Sequence, residues 1–452
     1  MADGTNDWAH DLLRTLVLKT NSYFPFRYSN RWPYALALKR MVAAVRPYPE
    51  VRALYLRHGL TSLDWTPGLS DIDQSVILER GLPAGREFDV VDSLHASYRR
   101  LKRWFPMLGE LEILGADDLN AWLRATSEAP APRSWTLLYG TPAFEPDSDH
   151  SPHWRSRALK VAMWIYLDML PPCLAKPHSY LRRMDVLRRV KKIDRLLRPN
   201  QAEKGEKEAP IDPHAAVPVL VAHAAKWLET AVALSDCSEC TDRRDTTHPP
   251  EEIAGVRSAL TFGGKFIVTL PNGLAPDTIT AITAGKQWDL PPLPMAESVF
   301  AYMARRYDPY GYAALLRGGE ISFGADPLEG VPPPGRAEFA AYLLSRFDHT
   351  LVFTRGEEMF PASESPLVAE LGWGLNRLMG IRLLVEKGWV SADQDEIDAQ
   401  WRREFPESAQ ALDGIRLIAR RAPRPARQEA FALLRSLANE VRDAVTTMET
   451  PA

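Results

Sequence analysis

The sequence predicts a mixed α/β protein with helical domains and a second, smaller α/β unit. Three observations lead there. A strand, strand, helix, strand pattern runs through 33–150. Helical patterning fills 151–200 and 335–452. A short stretch at 137–142 is echoed at 321–327.

The first 32 residues read as an N-terminal helical segment, with Leu12, Leu13, Leu16 and Leu18 as its apolar side. A second helix carries Ala35, Leu36, Leu38, Met41 and Val42, and Pro47 and Pro49 stop it. Val51-Arg-Ala-Leu-Tyr-Leu-Arg and Asp71-Ile-Asp-Gln-Ser-Val-Ile-Leu follow as strands. A helix over about 87–104 ends before Pro106, and Leu108–Leu114 alternates polar and apolar residues as a half-buried strand does. Residues 201–255 form a polar linker and insert, and strand signals return in 256–334. Leu137-Leu-Tyr-Gly-Thr-Pro and Ile321-Ser-Phe-Gly-Ala-Asp-Pro each suit a strand, a glycine turn and entry into helices. This suggests two related α/β halves, of which the second lacks the acidic motif described next.

The chain has 452 residues, 45% apolar and 25% charged, with net charge −3. Bulk charge therefore gives it no general affinity for polyanions. No apolar run reaches the length of a membrane span, the N-terminus has no secretory pattern, and three cysteines make no disulfide framework. The expected setting is cytoplasmic, without a membrane partner.

The chemistry is expected at Gly59-Leu-Thr-Ser-Leu-Asp-Trp-Thr-Pro-Gly-Leu-Ser-Asp71-Ile-Asp73. Asp71 and Asp73 are two residues apart on an expected strand, so both carboxylates lie on one face. Such a pair suits Mg²⁺, a hard cation that prefers oxygen ligands and also binds nucleotide phosphates. Gly59 lets the backbone approach a triphosphate, and Ser70 either donates to phosphate or caps the turn. Glu110 and Glu112 share a face of the third strand. Either could be a third carboxylate, with Glu112 preferred because it is the more central.

With these residues in view, the segment resembles the nucleotidyltransferase superfamily that includes DNA polymerase beta and the aminoglycoside nucleotidyltransferases. Gly59 matches the family's glycine, and Ser70, Asp71 and Asp73 match its acidic motif. Leu60 stands where the family has serine, with Thr61 or Ser62 as the substitute hydroxyl. Residues 375–390, with Trp401 and Pro406, look like the helical domain of aminoglycoside adenylyltransferases. The resemblance implies a nucleotidyltransferase domain over 33–150, with Asp71, Asp73 and Glu112 as catalytic metal ligands. It implies Gly59, Thr61, Ser62 and Ser70 around a nucleoside triphosphate, and two Mg²⁺ ions as cofactor. The reaction implied is transfer of a nucleoside monophosphate to an acceptor hydroxyl, on a small molecule in preference to RNA or protein. The rival is an inactive nucleotide- or partner-binding module.

Two weaker signals are set against plainer readings. Eight Arg and Lys residues between Arg182 and Arg198, against Asp185 and Asp194, suit either an anion grip or a solvated helix face. Cys237, Cys240 and His248 lack a fourth zinc ligand of characteristic spacing and read as a surface loop. The tryptophans at 104, 135, 154, 164, 373 and 389 are expected in cores.

Overall fold

In chain order, the computed structural model contains helices α1 (Gly4–Thr20), α2 (Trp32–Val45), α3 (Ala84–Trp104), α4 (Trp154–Trp164), α5 (Tyr180–Ala202), α6 (Val217–Ala233), α7 (Pro276–Thr283), α8 (Trp373–Lys387), α9 (Gln394–Glu404) and α10 (Arg424–Thr447). The strands are β1 (Val51–Arg57), β2 (Ile72–Leu78), β3 (Leu108–Gly115), β4 (Thr136–Gly140), β5 (Ser258–Phe262), β6 (Lys265–Leu270), β7 (Leu293–Ala296) and β8 (Glu320–Gly324). The structure describes residues 4–57, 65–119, 135–144, 154–174, 180–202, 211–234 except 213, 255–284 except 263 and 264, 291–309, 320–329, 331–345, 373–409 except 392, 413 and 424–447. Two compact units form: Met1–Ser151 with Leu343–Ala452, and Pro152–Tyr342.

In the first unit the strand order is β3-β2-β1-β4. β1 runs antiparallel to β2 and β4, and β3 runs parallel to β2. The parallel pair requires a crossover, and α3 supplies it. Apolar positions alternate between the two faces. Ala53, Tyr55, Ile77 and Leu114 join Trp135 on one. Leu54, Val76, Leu78 and Ile113, at the alternate positions, are buried on the other. α2 and α3 pack on the sheet but add nothing to the Trp135 cluster, so they cover the second face. α2 buries Tyr34, Ala37, Met41 and Val45, a spacing of three and four residues that keeps them on one stripe.

The C-terminal helices complete this unit. Phe431 of α10 meets Phe88 of α3 edge-on at 5.6 Å between ring centres, and both are fully buried. Arg435 pairs with the buried Glu87 at 3.0 Å, while the Arg424–Asp89 pair at 2.6 Å is largely exposed. An exposed pair contributes about 0–1 kcal/mol, so the aromatic burial dominates here. α8 ends at Gly388, which adopts φ +63 and lets Trp389 donate to Leu383. Asp393 caps α9 by accepting from the amides of Asp395 and Glu396.

The second unit repeats the topology. Its order is β7-β6-β5-β8, with β5 antiparallel to β6 and β8, and β6 parallel to β7. The register matches residue by residue. Ala53 pairs with Gly140 and Ser258 with Gly324, and the irregularity falls after Leu54 in one sheet and after Ala259 in the other. Gly140 and Gly324 adopt φ +86 and +81. A Cβ at either would lie 2.0 Å from the Arg52 carbonyl oxygen or 2.1 Å from that of Arg257. Gly140→Ala and Gly324→Ala are each expected to destabilise by about 2 kcal/mol or more, from the left-handed backbone and the clash together. Denaturant unfolding checks this, and an unchanged midpoint for either would remove the equivalence.

Helices from one part of the sequence complete the unit built around the other sheet. Leu159 and Met163 of α4, and Val186 and Val190 of α5, share a core with Leu260, Ile267 and Met295 of the second sheet. No described helix is long and apolar enough to cross a membrane. Trp104 and Trp164 depart from expectation: Trp104 is 83% exposed at the end of α3, beyond the helix's buried stripe, and Trp164 is 38% exposed at the end of α4. Cys237, Cys240 and His248 lie outside the described residues.

Candidate functional site

The segment before Asp71 is braced by the N-terminal helices. Tyr34 donates its hydroxyl hydrogen to the Ser70 carbonyl at 3.1 Å and accepts from the Gly68 amide at 2.9 Å. Arg14 of α1 donates to the Gly68 carbonyl at 2.7 Å, and Gly68 itself adopts φ +88. The Ser70 hydroxyl accepts from the Thr66 amide at 3.0 Å, so it caps the turn, the second of its two expected roles. Gly59, Thr61 and Ser62 lie outside the described residues.

Asp71 is exposed immediately before β2, and Asp73 is half-buried within it. β2 thus starts one residue later than the sequence reading had it. Across from them on β3 is Gly109. A Cβ there would come within 2.2 Å of Asp73 Oδ1 and 2.9 Å of the Asp71 Cβ, so only glycine leaves the two carboxylates their space. The Glu110 amide donates to Asp73 Oδ1 at 3.1 Å, which fixes one carboxylate oxygen.

The two glutamates have different surroundings. Glu112 faces Ser75 across the parallel register and accepts from its hydroxyl at 3.0 Å. It also pairs with Arg57 Nη1 at 2.5 Å, and its side chain is 15% exposed. Glu110 meets Arg57 Nη2 at 3.4 Å with a side chain 66% exposed. Arg57 is therefore the hub. Burial opposes its charge, but the carboxylates of Glu112, Asp73 and Glu110 outweigh that and raise its pKa above the ordinary value. Its guanidinium carbon also lies 6.0 Å from the Trp135 ring centre, where the polar end of this sheet face gives way to the apolar one.

Sequence reading missed Arg57, although a signal was present. A cation, two positions before Gly59, ends the apolar run over 53–56, and buried cations are almost always paired. It also missed Gly109 and Ser75, whose parts depend on cross-strand register.

Among the described residues, no three of His, Cys, Asp and Glu are gathered as a ready metal cage. Mg²⁺ needs none: one or two carboxylates with substrate phosphates and waters suffice. Asp71 and Asp73 offer hard oxygen donors over the gap at Gly109, and this donor set fits such an ion.

The basic helix α5 belongs to the second unit. Arg198 pairs with Asp194 at 2.6 Å, Arg182 lies 3.9 Å from Asp185, and Arg183 donates to the Ala215 carbonyl. Comparisons with protein-family models, curated proteins and solved structures find no match for this chain.

Proposed function

We propose that the chain is a metal-dependent nucleotidyltransferase that moves a nucleoside monophosphate from a nucleoside triphosphate to an acceptor hydroxyl on a small molecule. The observation that carries the reading is the edge where Asp71 and Asp73 stand over Gly109, with the glutamates of β3 alongside. The resemblance of Gly59, Ser70, Asp71 and Asp73 to the nucleotidyltransferase motif supports it independently.

When bound, Mg²⁺ supplies the positive charge that offsets the phosphoryl group in transfer. This chain's residues do the rest. Asp71 and Asp73 hold the cation. The Glu110 amide orients Asp73, and Arg57 and Ser75 hold the Glu112 carboxylate toward the same edge as the third acidic group. Tyr34 and Arg14 fix the turn that delivers Ser70 and Asp71, and so limit the misplacement that positional catalysis tolerates poorly.

The direct test incubates the protein with each labelled nucleoside triphosphate, Mg²⁺ and a cell extract, then identifies what carries label. The expected result is one labelled small molecule and Mg²⁺-dependent release of pyrophosphate. Failure of all four nucleotides to label anything or release pyrophosphate would sink the proposal. Label on RNA or protein would keep the reaction and change the acceptor.

A further inference from the structure

The two sheets correspond at every strand, so the strand residues of the proposed site, Arg57, Asp73, Ser75 and Glu112, have register counterparts in the second unit. Pairing of β1 with β2 and of β5 with β6 sets Arg57 against Phe262, Asp73 against Lys265 and Ser75 against Ile267. Pairing of β2 with β3 and of β6 with β7 sets Glu112 against Leu293. None of the four keeps its chemistry.

The connection between the strands changes as well. Fifteen residues separate Arg57 from Asp73, and they include Gly59, Ser70 and Asp71; two residues separate Phe262 from Lys265. The segment that would cradle a triphosphate has no counterpart.

The face itself is closed. Leu260, Ile267, Leu293 and Met295 are at most 1% exposed and share a core with Met163 and Tyr166. Tyr166 donates its hydroxyl hydrogen to the Pro294 carbonyl on β7. At the Asp73 counterpart, Lys265 Nζ lies 2.8 Å from Asp168 Oδ1, and the Tyr307 hydroxyl donates to Asp168 Oδ2 at 3.1 Å. Asp168 comes from the π-helical turn Ile165–Met169, directly after α4. A tethered ammonium supplies the positive charge at this position, and it already has its carboxylate.

We infer that the second sheet is a duplicated copy of the first, in which a lysine–aspartate pair and an apolar helical layer have closed the site, so that it binds neither divalent metal nor triphosphate and all transfer chemistry belongs to the first unit. The inference rests on the function proposed above only in naming which positions form the site.

The test titrates the full-length protein with Mn²⁺ as probe, followed by electron paramagnetic resonance, alongside turnover. Lys265→Met is expected to bind as many Mn²⁺ ions as the wild type and to turn over within about twofold of it, because Lys265 and its partner Asp168 both belong to the second unit and supply no group to the proposed site. Lys265→Arg, which keeps the pair with Asp168, serves if the first variant does not fold. Asp73→Asn is expected to lose all specific Mn²⁺ binding. Mn²⁺ retained by Asp73→Asn and then removed by adding Asp168→Asn would overturn the inference. So would a tenfold loss of turnover in a folded Lys265 variant. A wild-type chain that binds no Mn²⁺ and transfers no label would end the function proposed above, yet leave the second sheet metal-free as inferred.

Discussion

Asp71→Asn and Asp73→Asn should each abolish nucleotidyl transfer, by on the order of a thousandfold or more, with the fold kept. Charge stabilisation by a bound metal is worth several kcal/mol, and each 1.36 kcal/mol is tenfold in rate. An amide retains the size of the carboxylate but not the charge that holds Mg²⁺. The fold should survive because Asp71 is exposed and supports no core. At Asp73, the hydrogen bond from the Glu110 amide can pass to the amide oxygen of asparagine. Turnover, Mg²⁺ dependence and unfolding midpoint are measured together. Near-wild-type turnover with ordinary Mg²⁺ dependence in either variant would show that the acidic pair is not the metal site.

The second large effect separates the glutamates of β3. Glu112→Gln should lower single-turnover rate on the order of a hundredfold, while Glu110→Gln costs little. Burial decides between them. Glu112 is the close partner of Arg57, which is 4% exposed, and removing one member of a buried pair leaves the other uncompensated. Glutamine keeps one acceptor oxygen for Arg57, replaces the oxygen that accepts from Ser75 with an amide that can only donate, and loses the charge, so Arg57 should relax toward Asp73 and compete there with the metal. Glu110 is solvent-exposed at 3.4 Å from Arg57, a pair worth about 1 kcal/mol or less. The measurement includes nucleotide affinity and the unfolding midpoint, so that loss of fold is not mistaken for loss of chemistry. If Glu110→Gln is dead and Glu112→Gln active, Glu110 is the third carboxylate and Glu112 serves only to hold Arg57. If both are fully active, β3 supplies no third carboxylate.

Much of the first sheet was legible because its strands are long enough to show a period. Val51–Arg57, Ile72–Leu78 and Leu108–Gly115 sit within a residue of where alternation and turn residues put them. The second sheet announced itself through glycine. Gly140 and Gly324 are the turn residues of the 137–142 and 321–327 echo, and both need the left-handed backbone. β7 could not be read in detail: Leu-Pro-Met-Ala is short, buried throughout, and carries a proline that argues against a strand. Arg57 was hidden because its importance lies in three partners distant along the chain. The sorting of helices between units was hidden for the same reason. Local periodicity says which face is apolar, not which sheet will cover it.

That sorting has a consequence for biosynthesis. The first unit is interrupted by the whole of the second, so the ribosome starts one core, makes a complete second one, and only then delivers the helices that finish the first. Phe88 and Glu87 wait for Phe431 and Arg435, about 340 residues later in the chain. At roughly 5–20 residues per second that is a delay on the order of tens of seconds. Throughout it, the α3 surface that α10 will cover, Phe88 included, stays open to solvent.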